Sequence, residues 1–395
     1  MALDVYVQSA GRKLRCGFTT GTCATLACLG AARALLYKND EKIPLSVMTP
    51  KGIRVEVIPK ELLYNEEEQT GICSVVKDGG DDRDVTDGIE IFAKVKYTKE
   101  HDHIEIRSAE GIGTVTRAGL SVELGEPAIN PVPRQMMETA VDEIRREAGY
   151  TGGLICTLSV PGGEKAAGST FNERLGIKGG ISIIGTTGIV EPMSEKAFCD
   201  AVCLEIGQLS KEGNRDLILY PGNYGMDFTQ SLDLNDIPSV MCSNFIGDAI
   251  DAAIIDGYEN VLLIGHAGKL VKLAGGIMNT HSRIADCRME LIAVHAAMHG
   301  ADRDEVSSIM EQLTTDAAFE VIKTRDEKDN TGIYDETVRS LLESIQYHIN
   351  ERIRKDRAGK EIKIGAVLFA DQNRLIGVTK TGQEILNVFG KDLRP

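Results

Sequence analysis

The sequence predicts an α+β half followed by an α/β half with a mostly parallel, doubly wound sheet. Three observations carry this expectation. The chain has 395 residues, the length of two ordinary domains. Up to about residue 178, short β-like runs separated by turn clusters dominate, and the few helical stretches stand apart from them. From residue 179, short apolar strands alternate regularly with helices, as in parallel sheets covered on both faces. The expected domains are therefore 1–178 and 179–395.

In the first half, GFTTGTCATLACLGAARALL reads as a turn and then a helix starting near Thr20 or Thr22, either of which can cap it. Its small residues suit close packing on a sheet. Short strands are expected at Ile53–Ile58, Cys73–Lys77, Ile89–Tyr97, His103–Ser108 and Thr114–Val122, then a helix near Pro133–Ala148 and the strand ICTLSVPGG. In the second half, GISIIG is the first expected strand. A helix capped by Ser194 follows, with Glu195 in its first turn. DLILYPG, SVMCSN and NVLLIGHA are further strands, with helical segments after each. Residues 301–358 read as mostly helical, and EIKIGAVLFADQNRLIGVTK returns as a strand or hairpin.

Composition narrows the function. Net charge is −15, which excludes the broad basic surface that non-specific nucleic-acid binding needs. An anionic ligand would have to meet a local cationic pocket. Trp is absent, so no aromatic stacking platform is evident. The nine Cys include no CxxC pair and no zinc-like Cys/His spacing, so no metal site is expected; Cys199 and Cys203 read as a buried apolar pair. Reduced thiols fit a cytoplasmic protein. The N-terminus lacks an apolar signal region and no run of about 18 apolar residues occurs, so neither export nor membrane insertion is expected. Oligomeric state is not legible.

The strand ends carry the chemistry. GTTG at 185–188, PGN at 221–223, SNFIGD at 243–248 and GHAGK at 265–269 each follow an expected strand. In an open α/β sheet, ligands bind outside the carboxyl ends of the strands at a switch point. Gly allows close backbone approach, and helix N-termini favour negative charge. No loop is a Walker motif or a strict GxGxxG, so the pattern marks a nucleotide-sized site without naming the nucleotide. An acidic residue for ribose hydroxyls is missing from the second strand. Asn223, Asp227 or Glu191 would have to serve.

IGHAGKLVKLAGGIMNTHSRIADCR, residues 264–288, is the densest stretch. Lys269 and Lys272 are three apart and would share a helical face; Gly275–Gly276 should interrupt that helix. His266, Asn279, His281 and Arg283 cluster around it. The next helix is expected to bury Ile284, Cys287, Leu291, Val294 and Met298. These residues suggest a cationic, imidazole-bearing wall for a carboxylate-rich ligand. Elsewhere, LRCGFTTGTC offers Arg15, Thr19 and Thr20 at an anion-friendly helix start. FNERLGIKGG brings Arg174 and Lys178 to the domain junction. KDGGDDRDVTDG carries five Asp within 78–87. A cation site is one reading, but the spacing is not that of an EF-hand, and a solvated turn with Asx capping is preferred.

GFTTGTCATLA, DGGDDRDVTDG, SVPGGEKAAGSTFNERLGIKGGISIIGTTGIVEPMS and GHAGKLVKLAGGIMNTHSRIADCRMEL, in this order, resemble the CbiD family of cobalt-precorrin-5B (C1)-methyltransferases. The acidic motif departs at Gly79 and Arg83, where the family pattern has Ala and Pro. The resemblance implies a small α+β N-terminal domain joined to an α/β Rossmann-like domain with a mostly parallel sheet. It implies methyl transfer from S-adenosylmethionine to ring carbon 1 of a cobalt-containing tetrapyrrole. On that basis Gly185, Thr186, Thr187, Gly188, Glu191, Pro221, Gly222, Asn223, Ser243, Asn244 and Gly265 are expected to hold the donor. Arg15, Thr19, Thr20, Arg174, Lys178, Lys269, Lys272 and Arg283 would face the macrocycle, with His266 and His281 as acid–base candidates. A non-catalytic tetrapyrrole- or nucleotide-binding module and a cofactor-independent macrocycle isomerase are the alternatives.

Overall fold

The computed structural model describes residues 3–9, 11–82, 84–192, 195–355 and 361–393. It is a mixed α/β protein with two compact units, Met1–Glu195 and Lys196–Pro395. The boundary lies beyond the expected residue 178 for a local reason. Gly180–Ile181 pairs in parallel with Gly111–Ile112, and Ile189–Val190 pairs antiparallel with Gly17–Phe18. GISIIG and GTTG thus belong to the first unit. The expected cap Ser194 lies outside the described residues.

In the first unit a five-stranded sheet runs in the order Glu61–Asn65, Thr70–Val76, Glu90–Thr98, Gly153–Ser159, Ile104–Ser108. The Ala-rich helix Thr20–Tyr37 packs on it, and its small side chains explain how close it comes. A side chain on Gly71 would strike the Ala31 carbonyl, and one on Gly30 would strike Cys73. The cap is Thr19, whose hydroxyl accepts from the Thr22 N–H. Helix Pro131–Glu147 begins with Pro in its first turn. The expected strand Thr114–Val122 survives only as Thr114–Val115, because Gly119 and Gly125 take positive φ and turn the chain away.

The second unit holds a five-stranded sheet in the order Ser239–Met241, Asp216–Tyr220, Asn260–His266, Lys363–Phe369, Leu375–Val378. The first four strands are parallel and the last is antiparallel. Alternate residues feed opposite cores. Leu217, Leu219, Val261 and Leu263 join one cluster; Ile218, Tyr220, Leu262 and Ile264 join the other. This two-sided burial is why the strands read as continuous apolar runs.

Helix Arg288–Met298 is followed by Arg303–Met310, Thr315–Asp329 and Ile333–Lys355, which make up the helical stretch expected over 301–358. The buried face of the first differs from expectation: Met289, Ile292, Ala293 and Ala296 are inside, while Ile284, Val294 and Met298 are exposed. Both sets have helical spacing. The set containing two alanines lets neighbouring helices approach more closely, which local periodicity alone does not reveal.

Candidate active site

Strand order in the second unit creates a switch point. Asp216–Tyr220 has Ser239–Met241 on one side and Asn260–His266 on the other. Successive connections leave in opposite directions, so a crevice opens outside the carboxyl ends of Asp216–Tyr220 and Asn260–His266. Three of the four expected loops lie on this rim: Pro221, Gly222 and Asn223; Ser243 and Asn244; Gly265 to Lys269.

Helix Asn223–Ser231 starts from Gly222 without a side-chain cap, leaving its first N–H groups to solvent or ligand. The nearest atom to a Cβ on Gly222 would be Lys269 Nζ, 4.0 Å away. Lys269 spans the crevice and donates to the Pro221 carbonyl. Burial holds its pKa below the ordinary lysine value. Gly265 serves packing, since a Cβ there would meet both Leu270 and Pro221 at 2.9 Å. Ser243 adopts the left-handed region at φ 53°, a strained turn at the rim. Next to it, the Asn244 carbonyl accepts the Thr280 N–H at 3.0 Å.

His266 is not a free base. Its Nδ1 accepts the Gly268 N–H at 3.0 Å, capping helix Ala267–Leu270. Its Nε2 lies 3.2 Å from Asp371 Oδ1 and 3.4 Å from Asp316 Oδ2. A neutral ring whose Nδ1 accepts must carry its proton on Nε2 and donate it to these carboxylates. The three ligand-type atoms lie within 4.8 Å of one another. A metal ion on Nε2 would force the proton onto Nδ1, against the Gly268 N–H, so this arrangement fits a proton rather than a cation. His281 repeats the pattern: Nδ1 accepts the Arg283 N–H at 3.1 Å, leaving Nε2 as a donor. In both histidines Nδ1 is thus engaged with the backbone, and Nε2 is the ring nitrogen turned away from that turn. Arg283 stands exposed beside His281.

Lys272 does not join Lys269 in a cationic wall. It is 3% exposed and donates to the Thr280 and Ala285 carbonyls at 3.0 and 2.8 Å. After Val271–Gly275, Gly276 takes φ 73° and the chain folds back around the ammonium. Burial lowers the Lys272 pKa too.

Several residues expected to bind ligands are satisfied within the first unit. Arg15 holds Asp78 through two bonds of 2.6 and 2.8 Å. Thr20 Oγ1 donates to the Ser182 carbonyl and accepts the Ile184 N–H, and the Gly21 N–H donates to the Ile184 carbonyl. With Thr19 capping Thr22, the Gly21 and Thr22 N–H groups of this helix start are both taken up within the protein. Glu191 pairs with Lys51. The Thr187 carbonyl accepts the Lys51 N–H at 3.2 Å. Gly185 and Gly188 have positive φ, and a Cβ on either would strike Thr19 or Thr49 respectively. The close approach that calls for glycine is thus to the protein itself. Gly185→Ala is expected to destabilise the first unit by about 1–3 kcal/mol, seen as an earlier urea transition. Arg174 and Lys178 are exposed, and Arg174 lies 5.8 Å from the centre of the Phe171 ring.

Thr186 lines a separate cleft of about 800 Å³ between helices Thr20–Tyr37 and Pro131–Glu147 and the hairpin of Leu45–Met48 and Arg54–Val57. Its Arg33 and Arg54 are balanced by Glu143 and Glu147. It therefore lacks the charge to draw a polycarboxylate, and we assign it no ligand. The Asp cluster is a capped turn. Asp78 accepts the Gly80 N–H, Asp87 the Gly79 N–H and Asp84 the Thr86 N–H, and buried Lys77 pairs with Asp84.

Sequence reasoning missed Asp316, Asp371 and Tyr224. Tyr224 is exposed on the rim, its ring 6.4 Å from that of His266. Asp371 follows a strand end, a detectable signal, but its partners are distant in sequence.

Comparison with known proteins agrees with the motifs. Family models described as CbiD and as CbiD, C-terminal domain match residues 7–192 and 279–380. The cobalt-precorrin-5B C(1)-methyltransferase of Ruminiclostridium cellulolyticum is 45% identical, covering 94% of this chain and 93% of its own. That of Alkaliphilus metalliredigens is 38% identical over 98% of each chain. A crystal structure of the cobalamin biosynthesis protein CbiD from Archaeoglobus fulgidus is 29% identical, covering 70% of this chain and 86% of that one, with a TM-score of 0.38. Near-complete matching at such identity leaves one conclusion: the chain belongs to the CbiD family.

Proposed function

We propose that this protein methylates ring carbon 1 of cobalt-precorrin-5B in cobalamin biosynthesis, using S-adenosylmethionine bound at the rim of a Rossmann-like second unit. The observation that carries the reaction is the 45% identity, across 94% of the chain, to a cobalt-precorrin-5B C(1)-methyltransferase. The rim supports the donor. An uncapped helix start at Asn223 and the Lys269 ammonium offer positive charge for its carboxylate, and Asp316 and Asp371 offer the opposite sign for the rest. When bound, the donor supplies an electrophilic methyl group whose bonding electron pair stays on sulfur as the ring carbon attacks.

The protein's share is positioning. His266 fixes the turn after its strand through Gly268, and Lys269 fixes the Pro221 turn across the crevice. Holding donor and carbon in line can supply roughly 7–11 kcal/mol of the barrier. Within the second unit, His281 Nε2 and Arg283 are the groups left to meet acetate and propionate side chains.

Isothermal titration with S-adenosylhomocysteine should show binding well below millimolar. Label from methyl-labelled S-adenosylmethionine should appear in cobalt-precorrin-6A. Absence of binding at millimolar concentration would overturn the donor assignment, and cofactor-independent turnover would favour an isomerase.

A further inference from the structure

We infer that Asp371, oriented by His266 and Asp316, accepts the ribose hydroxyls of the methyl donor. This rests on the donor reading above and places the acidic group on a strand end other than those of Asn223, Asp227 and Glu191, the three candidates the sequence offered. Glu191 is in the first unit, paired with Lys51. Asn223 carries no charge. Asp371 stands just beyond Lys363–Phe369, the strand next to Asn260–His266, where an open α/β sheet receives its ligand.

The carboxylate is built to accept. Its side chain is 82% exposed. Its backbone N–H is pinned to Asp316 Oδ1 at 2.9 Å, and its Oδ1 lies 3.2 Å from His266 Nε2. That leaves Oδ2 for a ligand hydroxyl. The Gly268 N–H occupies His266 Nδ1, so the ring turns its Nε2 edge toward the two aspartates. A macrocycle fringed with carboxylates is repelled by this end of the rim. A cationic nucleoside bearing a vicinal diol suits it, with Lys269 and the helix start at Asn223 facing its carboxylate.

The test titrates the full-length chain with S-adenosylhomocysteine and with its 2′-deoxyribose analogue. Asp371→Ala should weaken S-adenosylhomocysteine about 10- to 100-fold, the loss of a hydrogen bond to a charged group. The deoxy analogue should bind the parent protein more weakly, and the variant should show little further loss on removal of that hydroxyl. The melting temperature should hardly change, because the side chain is exposed. Asp316→Asn should weaken binding less. If the parent binds S-adenosylhomocysteine and Asp371→Ala binds both ligands as the parent does, the ribose assignment is wrong while the donor reading stands. If the parent binds neither, both fall.

Discussion

Asp84→Asn is expected to destabilise the first unit by about 3–5 kcal/mol at neutral pH, the usual cost of stranding one member of a buried ion pair. Lys77 is 2% exposed and its ammonium faces Asp84. The Asp84 carboxylate also takes the Thr86 N–H and hydroxyl. Burial raises the Asp84 pKa, but Lys77 and Thr86 outweigh it, and the net value lies below the ordinary Asp range. Asp78 lies low as well, chiefly through its hydrogen bond from Arg15. A carboxyl depressed in the folded state contributes stability above its unfolded pKa and loses it as pH falls through the folded value. The parent should therefore weaken below about pH 4, and Asp84→Asn should show a flatter acid limb. Hydrogen exchange across Ile91–Val95 with urea titration measures both. Adding Lys77→Met to Asp84→Asn should recover part of the loss, since no lone charge is then buried. No difference between parent and single variant would mean the ammonium escapes to water.

What was legible and what was not follows from the range of the interactions. Asp216–Tyr220, Asn260–His266 and Lys363–Phe369 announce themselves because each is buried on both faces, so a short local window carries the signal. GISIIG sends the same signal, yet pairs with Gly111–Ile112, about seventy residues earlier, and nothing local distinguishes the two partners. Glycine is ambiguous for a similar reason. Close approach at Gly185 and at Gly222 leaves one signature, but the first meets Thr19 and the second lies beside Lys269 Nζ. The short-range pattern marks where backbone must come near something and cannot say what. Asp371 was missed because its partners are His266, 105 residues away, and Asp316, 55 residues away.

Lys272 shows how an apparent ligand-binding cation acts through the fold. Lys272→Met keeps the length and removes the charge, leaving the Thr280 and Ala285 carbonyls without their buried donor. Each such group costs about 1–3 kcal/mol, so a loss of about 2–4 kcal/mol is expected once the relieved desolvation of the ammonium is allowed for. The damage should spread from 276–287 to the rim, because Thr280 is tied to Asn244, and Asn279 bridges Phe245. Hydrogen exchange should rise through 276–287, the urea midpoint of the second unit should fall, and S-adenosylhomocysteine should bind more weakly as the Ser243–Asn244 turn loosens. Asp371→Ala provides the contrast, with binding weakened and stability kept. A Lys272→Met protein that unfolds like the parent but no longer binds a carboxylate-rich corrinoid would return this lysine to the ligand wall. A protein that loses stability and exchange protection together places its ammonium where the two carbonyls put it, as an internal strut beneath the rim.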